Sequence, residues 1–166
     1  MKTVLAPIDF SKVSRQVIDE AVVLARAIDA RLVLLHVVQP APIIASEFAI
    51  GESGVEVSRF EDQEAAQRLA RLQTELGADG ITAEVIHRVG YPGGKIVEVA
   101  KELKAAFIVV GAHGHTAFYD LIVGSTTSLV LKLAPCPVVV TPAAMAKGAA
   151  VRQAREMRDT AGAPRR

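Results

Sequence analysis

A chain of 166 residues that is 51% hydrophobic and 22% charged, with a net charge of +1, fits one globular domain with a substantial core. Its single cysteine, Cys136, excludes an internal disulfide framework and fits a reducing compartment. It shows neither a secretory leader pattern nor an uncharged run of the roughly 18 residues that span a bilayer, so membrane insertion is not expected and a cytoplasmic location is. Aromatic residues make up only 4%, which leaves Val, Leu, Ile and Ala to build the core, a mix suited to buried parallel strands under helices. From Ala143 onward six basic residues stand against two acidic ones, giving that segment +4 and leaving −3 for the body. The body is therefore no nucleic-acid platform, and residues 143–166 read as a solvated basic extension, helical or disordered, beyond a domain at 1–142.

In chain order, the apolar run 3–8 predicts a first strand, and a helix follows Asp9-Phe10-Ser11. Ser11 or Asp9 is placed to cap that helix, whose Val17, Ala21, Leu24 and Ile28 share one stripe. Residues 31–38 are apolar on both faces, as a central parallel strand should be. The stretch 39–58, with Pro40, Pro42, Gly51 and Gly54, is too long for an ordinary connection and reads as a lid, a partner-contacting loop or a disordered insertion. Helical spacing returns over 60–76 and is expected to end at Gly77 in the C′ role.

Residues 81–89 alternate with charges on one side, which predicts an edge strand. A turn at Gly90-Tyr91-Pro92-Gly93-Gly94 leads to a helix over about 95–103, followed by a strand at 107–110. Helix 125–133 and strand 137–141 complete the pattern. Five strands alternating with four helices predict a single-domain α/β fold. Its doubly wound parallel sheet should have the order 3-2-1-4-5, with ligands at the carboxyl ends of the strands. The switch point then lies between strands one and four, where Asp9, Val37 or Val38, Gly90 and Gly111 gather at one rim.

The chemistry concentrates after strand four. Gly111-Ala112-His113-Gly114-His115 is a glycine-spaced turn, and Gly124-Ser125-Thr126 opens a helix whose N–H groups, dipole and hydroxyls suit phosphate. A nucleotide there would have its adenine read by Val37 or Val38 backbone, its ribose near Asp9 or Gly111, and its phosphates on Gly114, Gly124 and Ser125. Other phosphate motifs fail. Gly90 to Ile96 is one residue short of a P-loop, with Ile96 where the Mg²⁺-binding hydroxyl belongs, and no G-x-G-x-x-G is present. His113 and His115 lack a third ligand at metal spacing, and no G-x-S-x-G elbow exists.

Gly111, Gly114 and Gly124-Ser125 follow the spacing G-2x-G-9x-G-S and resemble the ATP-binding signature of the universal stress protein family. Pro7-Ile8-Asp9-Phe10-Ser11, Leu35-His36-Val37, Gly90-x-Pro92 and Ala134-Pro135-Cys136-Pro137-Val138 are similar to further landmarks of that family, in the same order. The resemblance covers residues 1–142 and implies an adenine-nucleotide alpha-hydrolase-like fold, Rossmann-like in its winding and usually dimeric. It implies ATP bound by Pro7, Asp9, Val37, Gly111, His113, Gly114, Gly124, Ser125 and Thr126. Ala112 and Ala117-Phe118-Tyr119 depart from the small polar residues expected in this turn. Mg²⁺ or Mn²⁺ would be held mainly by the phosphates.

No Lys or Arg accompanies the glycine turn before Lys132, so no catalytic residue is assigned and ATP turnover should be weak or absent. The expected function is that of a nucleotide-responsive regulator acting on a protein partner. The alternatives are a slow ATP hydrolase or nucleotide-transferring enzyme on the same fold, or a nucleotide-free stress interaction protein. Strand five would be an apolar edge, and pairing of Val138 to Thr141 with a second copy would close it into a homodimer.

Overall fold

The computed structural model describes residues 1–39, 53–78, 80–112 and 124–142. His113, Gly114, His115, Ala117-Phe118-Tyr119, most of the 39–58 stretch and the basic 143–166 extension lie outside the described residues. Among the described residues the chain alternates β1 (Lys2–Ile8), α1 (Ser14–Ala27), β2 (Ala30–Val38), α2 (Ser53–Ala78), β3 (Ala83–Val89), α3 (Pro92–Glu102), β4 (Phe107–Ala112), α4 (Ser125–Leu133) and β5 (Val138–Pro142). The strands form one parallel sheet in the order β3-β2-β1-β4-β5, as the sequence pattern predicts.

Alternation along the central strands divides the core between two layers. Val4, Ala6, Leu32, Leu34 and Val109 pack with Val17, Ile18, Ala21 and Leu69 on the α1/α2 face. Leu5, Val33, Leu35, Ile108 and Val110 pack with Ile96, Val99 and Val130 on the α3/α4 face. Both faces of the central strands are therefore dry, which accounts for their uninterrupted apolar runs. At the β3 edge, Arg31 meets Glu84 at 2.9 Å, an exposed pair that contributes little. No helix among the described residues is long and apolar enough to cross a membrane.

The strand bounds shift by one or two residues, and the helices depart from the sequence reading in four more telling places. Helix α1 begins at Ser14, and its N-cap, Val13, makes no side-chain cap. Asp9 acts earlier, with Oδ1 accepting from the Ser11 N–H at 2.9 Å and from Ser14 Oγ at 2.9 Å. Helix α2 begins at Ser53, so the connection before it is shorter than 39–58. Gly77 stays helical, while Gly80, at φ +71°, takes the left-handed position and the Ile81 N–H reaches back to the Leu76 carbonyl. Helix α3 starts at Pro92, whose fixed φ and missing N–H suit a first helical position, so the turn narrows to Gly90 and Tyr91.

The sheet opens at its centre. β1 pairs with β2 along its whole length but with β4 only at Val4↔Phe107 and Leu5↔Ile108. The Ala106 N–H donates to the Thr3 carbonyl at 2.8 Å, so the odd-numbered residues of β1 direct their backbone groups toward β4. Pro7 falls where that pairing has already ended, so its missing N–H forfeits no ladder bond. Proline in a central strand thus coincides with the place where the two strands part.

Candidate functional site

A cavity of about 320 Å³ occupies the opening at the carboxyl ends of the strands. One wall is Pro7, Ile8 and Asp9 at the end of β1 with Leu35 and Val37 of β2. The other is Val110 and Gly111 of β4 with Gly124, Ser125, Thr126 and Thr127 at the start of α4. Helix α1 supplies Ser14 and Val17 and the turn before it Ser11 and Val13, while α3 contributes Pro92 and Ile96. The walls are mostly apolar, with polar groups clustered at Asp9 and at the α4 start, the usual make-up of a small-molecule site.

Each polar group has a local cause. Asp9 is held by the two bonds from Ser11 and Ser14, which fix one carboxylate oxygen against the first turn of α1. Between them Phe10 takes φ +59°, a left-handed conformation that bulky residues rarely adopt. Its ring lies 4.7 Å from that of His36 and 5.7 Å beneath the Arg68 guanidinium, on the α1/α2 face. His36 Nδ1 meets the Ile8 carbonyl at 2.9 Å, and its ring stacks 5.8 Å from His87. The turn that carries Asp9 is thus anchored from behind by β2, β3 and α2.

Helix α4 has Gly124 as its N-cap, with no side-chain cap bond, so the N–H groups of its first turn face the cavity mouth without a protein acceptor from the cap. Thr127, 5% exposed, donates its hydroxyl to the Gly111 carbonyl at 2.9 Å and ties this turn to the end of β4. The two glycines differ. A Cβ on Gly111 would lie 2.7 Å from Val13 Cγ1, so close packing of α1 demands glycine there, whereas a Cβ on Gly124 would meet nothing within 4 Å among the described residues.

Backbone direction separates the two candidate adenine contacts. The Val38 carbonyl already accepts from the Gly90 N–H at 2.9 Å, on the β3 side. Groups alternate sides along a strand, so the Val37 carbonyl is directed to the β1 side, one residue past the last pair, Ile8↔His36. Val37, and not Val38, lines the cavity.

Of the residues singled out from the sequence, Pro7, Asp9, Val37, Gly111, Gly124, Ser125 and Thr126 come together around this one cavity, while His113 and Gly114 lie outside the described residues. Sequence reasoning gave no site role to Leu35, Ser11, Ser14, Ile96 or Thr127, although Leu35 and Ser11 stood in quoted motifs. Strand periodicity was a usable signal for Leu35, which shares a face with Val37. Nothing local marks Ser14 or Ile96, which arrive by tertiary packing. Cys136 packs against the α3/α4 layer, and burial pushes its thiol pKa up, which suits a structural and not a nucleophilic role. Among the described residues no group of three His, Cys, Asp or Glu forms a metal site.

The chain is 33% identical over 141 residues to universal stress protein MJ0531 of Methanocaldococcus jannaschii, spanning 84% of this chain and 81% of that one. Universal stress protein UspA from Lactobacillus plantarum superposes with a TM-score of 0.71 at 28% identity, over 84% of this chain and 96% of that one. The fold is shared by a universal stress protein from Archaeoglobus fulgidus solved in complex with dAMP, with a TM-score of 0.62 at 20% identity over 84% of this chain and 97% of that one. It is shared also by one solved in complex with cAMP, with a TM-score of 0.60 at 21% identity over 86% and 98%. The model of the universal stress protein family matches residues 1–142, and the chain belongs to that family.

Proposed function

We propose that this protein binds an adenine nucleotide, ATP in the first instance, at the opening between β1 and β4, and that occupancy regulates its contacts with a partner protein in the cytoplasm. The observation that carries the reading is the cavity itself. It joins an apolar slot ending at the Val37 carbonyl to a helix start whose first N–H groups have no acceptor among the described residues, with two hydroxyl residues, Ser125 and Thr126. Adenine fits the slot, with its exocyclic amine donating to the Val37 carbonyl. Guanine would present an oxygen at that position, so the contact favours adenine. Ribose falls beside Asp9, and phosphates reach the α4 N-terminus, where dipole and N–H groups favour negative charge. His113 and Gly114 complete the phosphate end in this reading.

Gly124 supports it further. Neither its φ of −56° nor any neighbour among the described residues requires glycine, so the open space over its Cα is available to a phosphate. The adenine nucleotides held by two relatives of the same fold agree with the ligand class. Mg²⁺ or Mn²⁺, where present, would ride mainly on the phosphates. No Lys, Arg or His lines the cavity among the described residues, and phosphoryl transfer needs cationic stabilisation, so the reading is of binding with at most slow hydrolysis.

Mass spectrometry of ligand released from purified protein, followed by calorimetric titration with ATP, AMP and GTP, tests the proposal. ATP should bind more tightly than GTP, and Ser125→Ala should weaken it about tenfold through loss of a charge-assisted hydrogen bond. No released nucleotide and no binding of ATP or AMP at millimolar concentration would overturn the reading.

A further inference from the structure

We infer that the Ser11 hydroxyl is a ligand-contacting group of this cavity, donating to an oxygen of the sugar–phosphate part of the bound nucleotide. The inference rests on the nucleotide-binding reading above and adds a residue to it. Ser11 lines the cavity, yet Ser11 Oγ is buried and without a hydrogen-bond partner among the described residues. Buried hydroxyls are nearly always bonded, and an orphan at a cavity wall is a position that a polar group entering the cavity can satisfy.

The neighbouring bonds show why this hydroxyl stays uncommitted. Asp9 Oδ1 takes the Ser11 backbone N–H and the Ser14 hydroxyl, both at 2.9 Å. Ser14 is therefore spent on Asp9, while Ser11 is held through its main chain only and its hydroxyl remains unused. Phe10 fixes the turn that precedes Ser11. Its left-handed φ of +59° turns the chain sharply, and its ring is clasped on the far face of the sheet by His36 and Arg68. Ser11 is the first residue after that turn, tied to Asp9 through its N–H, and it lines the cavity beside Asp9.

Ser11 also borders a shallower groove of about 280 Å³ on the α1/α2 face, with Phe10, Arg15 and Arg68. Arg15 is paired with Asp19 at 3.1 Å and Arg68 with Glu64 at 2.5 Å, so two of the groove's cations are already neutralised. The cavity between β1 and β4, which shares Asp9 with Ser11, is the better source of the missing partner.

The test is Ser11→Ala, read by two measurements that move in opposite directions. Removing an orphaned buried hydroxyl should leave the melting temperature of the ligand-free protein unchanged or raise it. Removing a ligand contact should weaken ATP binding several-fold by calorimetry. Titration with ATP, 2′-deoxy-ATP, 3′-deoxy-ATP and adenosine locates the contact. A loss retained with adenosine but abolished by one deoxy substitution assigns a ribose hydroxyl, and a loss seen only with phosphorylated ligands assigns a phosphate oxygen. Unchanged affinity for all four ligands would overturn the inference, as would a melting temperature that falls in step with affinity, which would mark a structural hydroxyl. Failure of the wild type to bind any adenine nucleotide would instead remove the functional reading on which it stands.

Discussion

A methyl group on Gly111 would lie 2.7 Å from Val13 Cγ1 and 3.3 Å from Val17 Cγ2, closer than packed carbons tolerate. Gly111→Ala should therefore destabilise the protein by about 1–3 kcal/mol, the usual cost of overpacking, as measured by urea denaturation. Trimming the obstacle with Val13→Ala in the same chain should recover part of that loss, giving a non-additive pair. Gly124→Ser, with no neighbour over its Cα among the described residues and a hydroxyl suited to an N-cap, should change stability by less than about 0.5 kcal/mol. Equal losses at the two glycines would refute this division. The spacing of the two residues was legible in the sequence, but their different reasons for being glycine were not. Val13 is remote in sequence from Gly111, and only the packing of α1 against the end of β4 brings them together. The same holds for Phe10, whose left-handed backbone carries a ring that packs on the His36 ring of β2 and the Arg68 guanidinium of α2.

Helix α4 was read correctly from its hydroxyl start and apolar spacing, because both signals are local. Helix α2 was read too short at its front, where Gly54 and the absence of a clear apolar stripe conceal the true start at Ser53. Its end was misplaced because Gly77 is a helical residue and Gly80 does the terminating, a choice settled by which carbonyl the Ile81 N–H reaches. What α4 needs from the rest of the molecule is Thr127, whose buried hydroxyl spans sixteen positions to the Gly111 carbonyl. Thr127→Val keeps the shape and removes the bond, and it should cost about 1 kcal/mol of stability in thermal or urea unfolding. Because the bond orients the open helix start, nucleotide affinity should fall with it. Loss of affinity without loss of stability would show that the hydroxyl meets the ligand and not the strand.

The order β3-β2-β1-β4-β5 leaves β3 and β5 as edges, and the two are finished differently. β3 carries exposed Glu84 and Arg88, charges that discourage pairing with another chain. β5 carries no charge, its Val139 is 36% exposed, and the helix leading into it leaves Leu129, Leu131 and Leu133 exposed at 39%, 47% and 54%. An apolar edge strand close to exposed leucines of the helix before it is a surface that proteins tend to cover, and pairing with the same strand of a second copy is isologous and closes. A stable interface needs about 1,200 Å² in total, more than a five-residue edge supplies, and Leu133 of α4, exposed and close to the start of β5, is the proposed second contributor. The homodimer expected from the sequence thus becomes a proposal with two components. Light scattering should give twice the chain mass for the wild type. Val139→Lys should shift it to the monomer by placing like charges opposite each other across the two-fold axis, and Leu133→Glu should weaken the dimer with β5 untouched. A wild type that stays monomeric at high concentration, with and without ATP, would reject the proposal. A dimer indifferent to both substitutions would place the interface elsewhere.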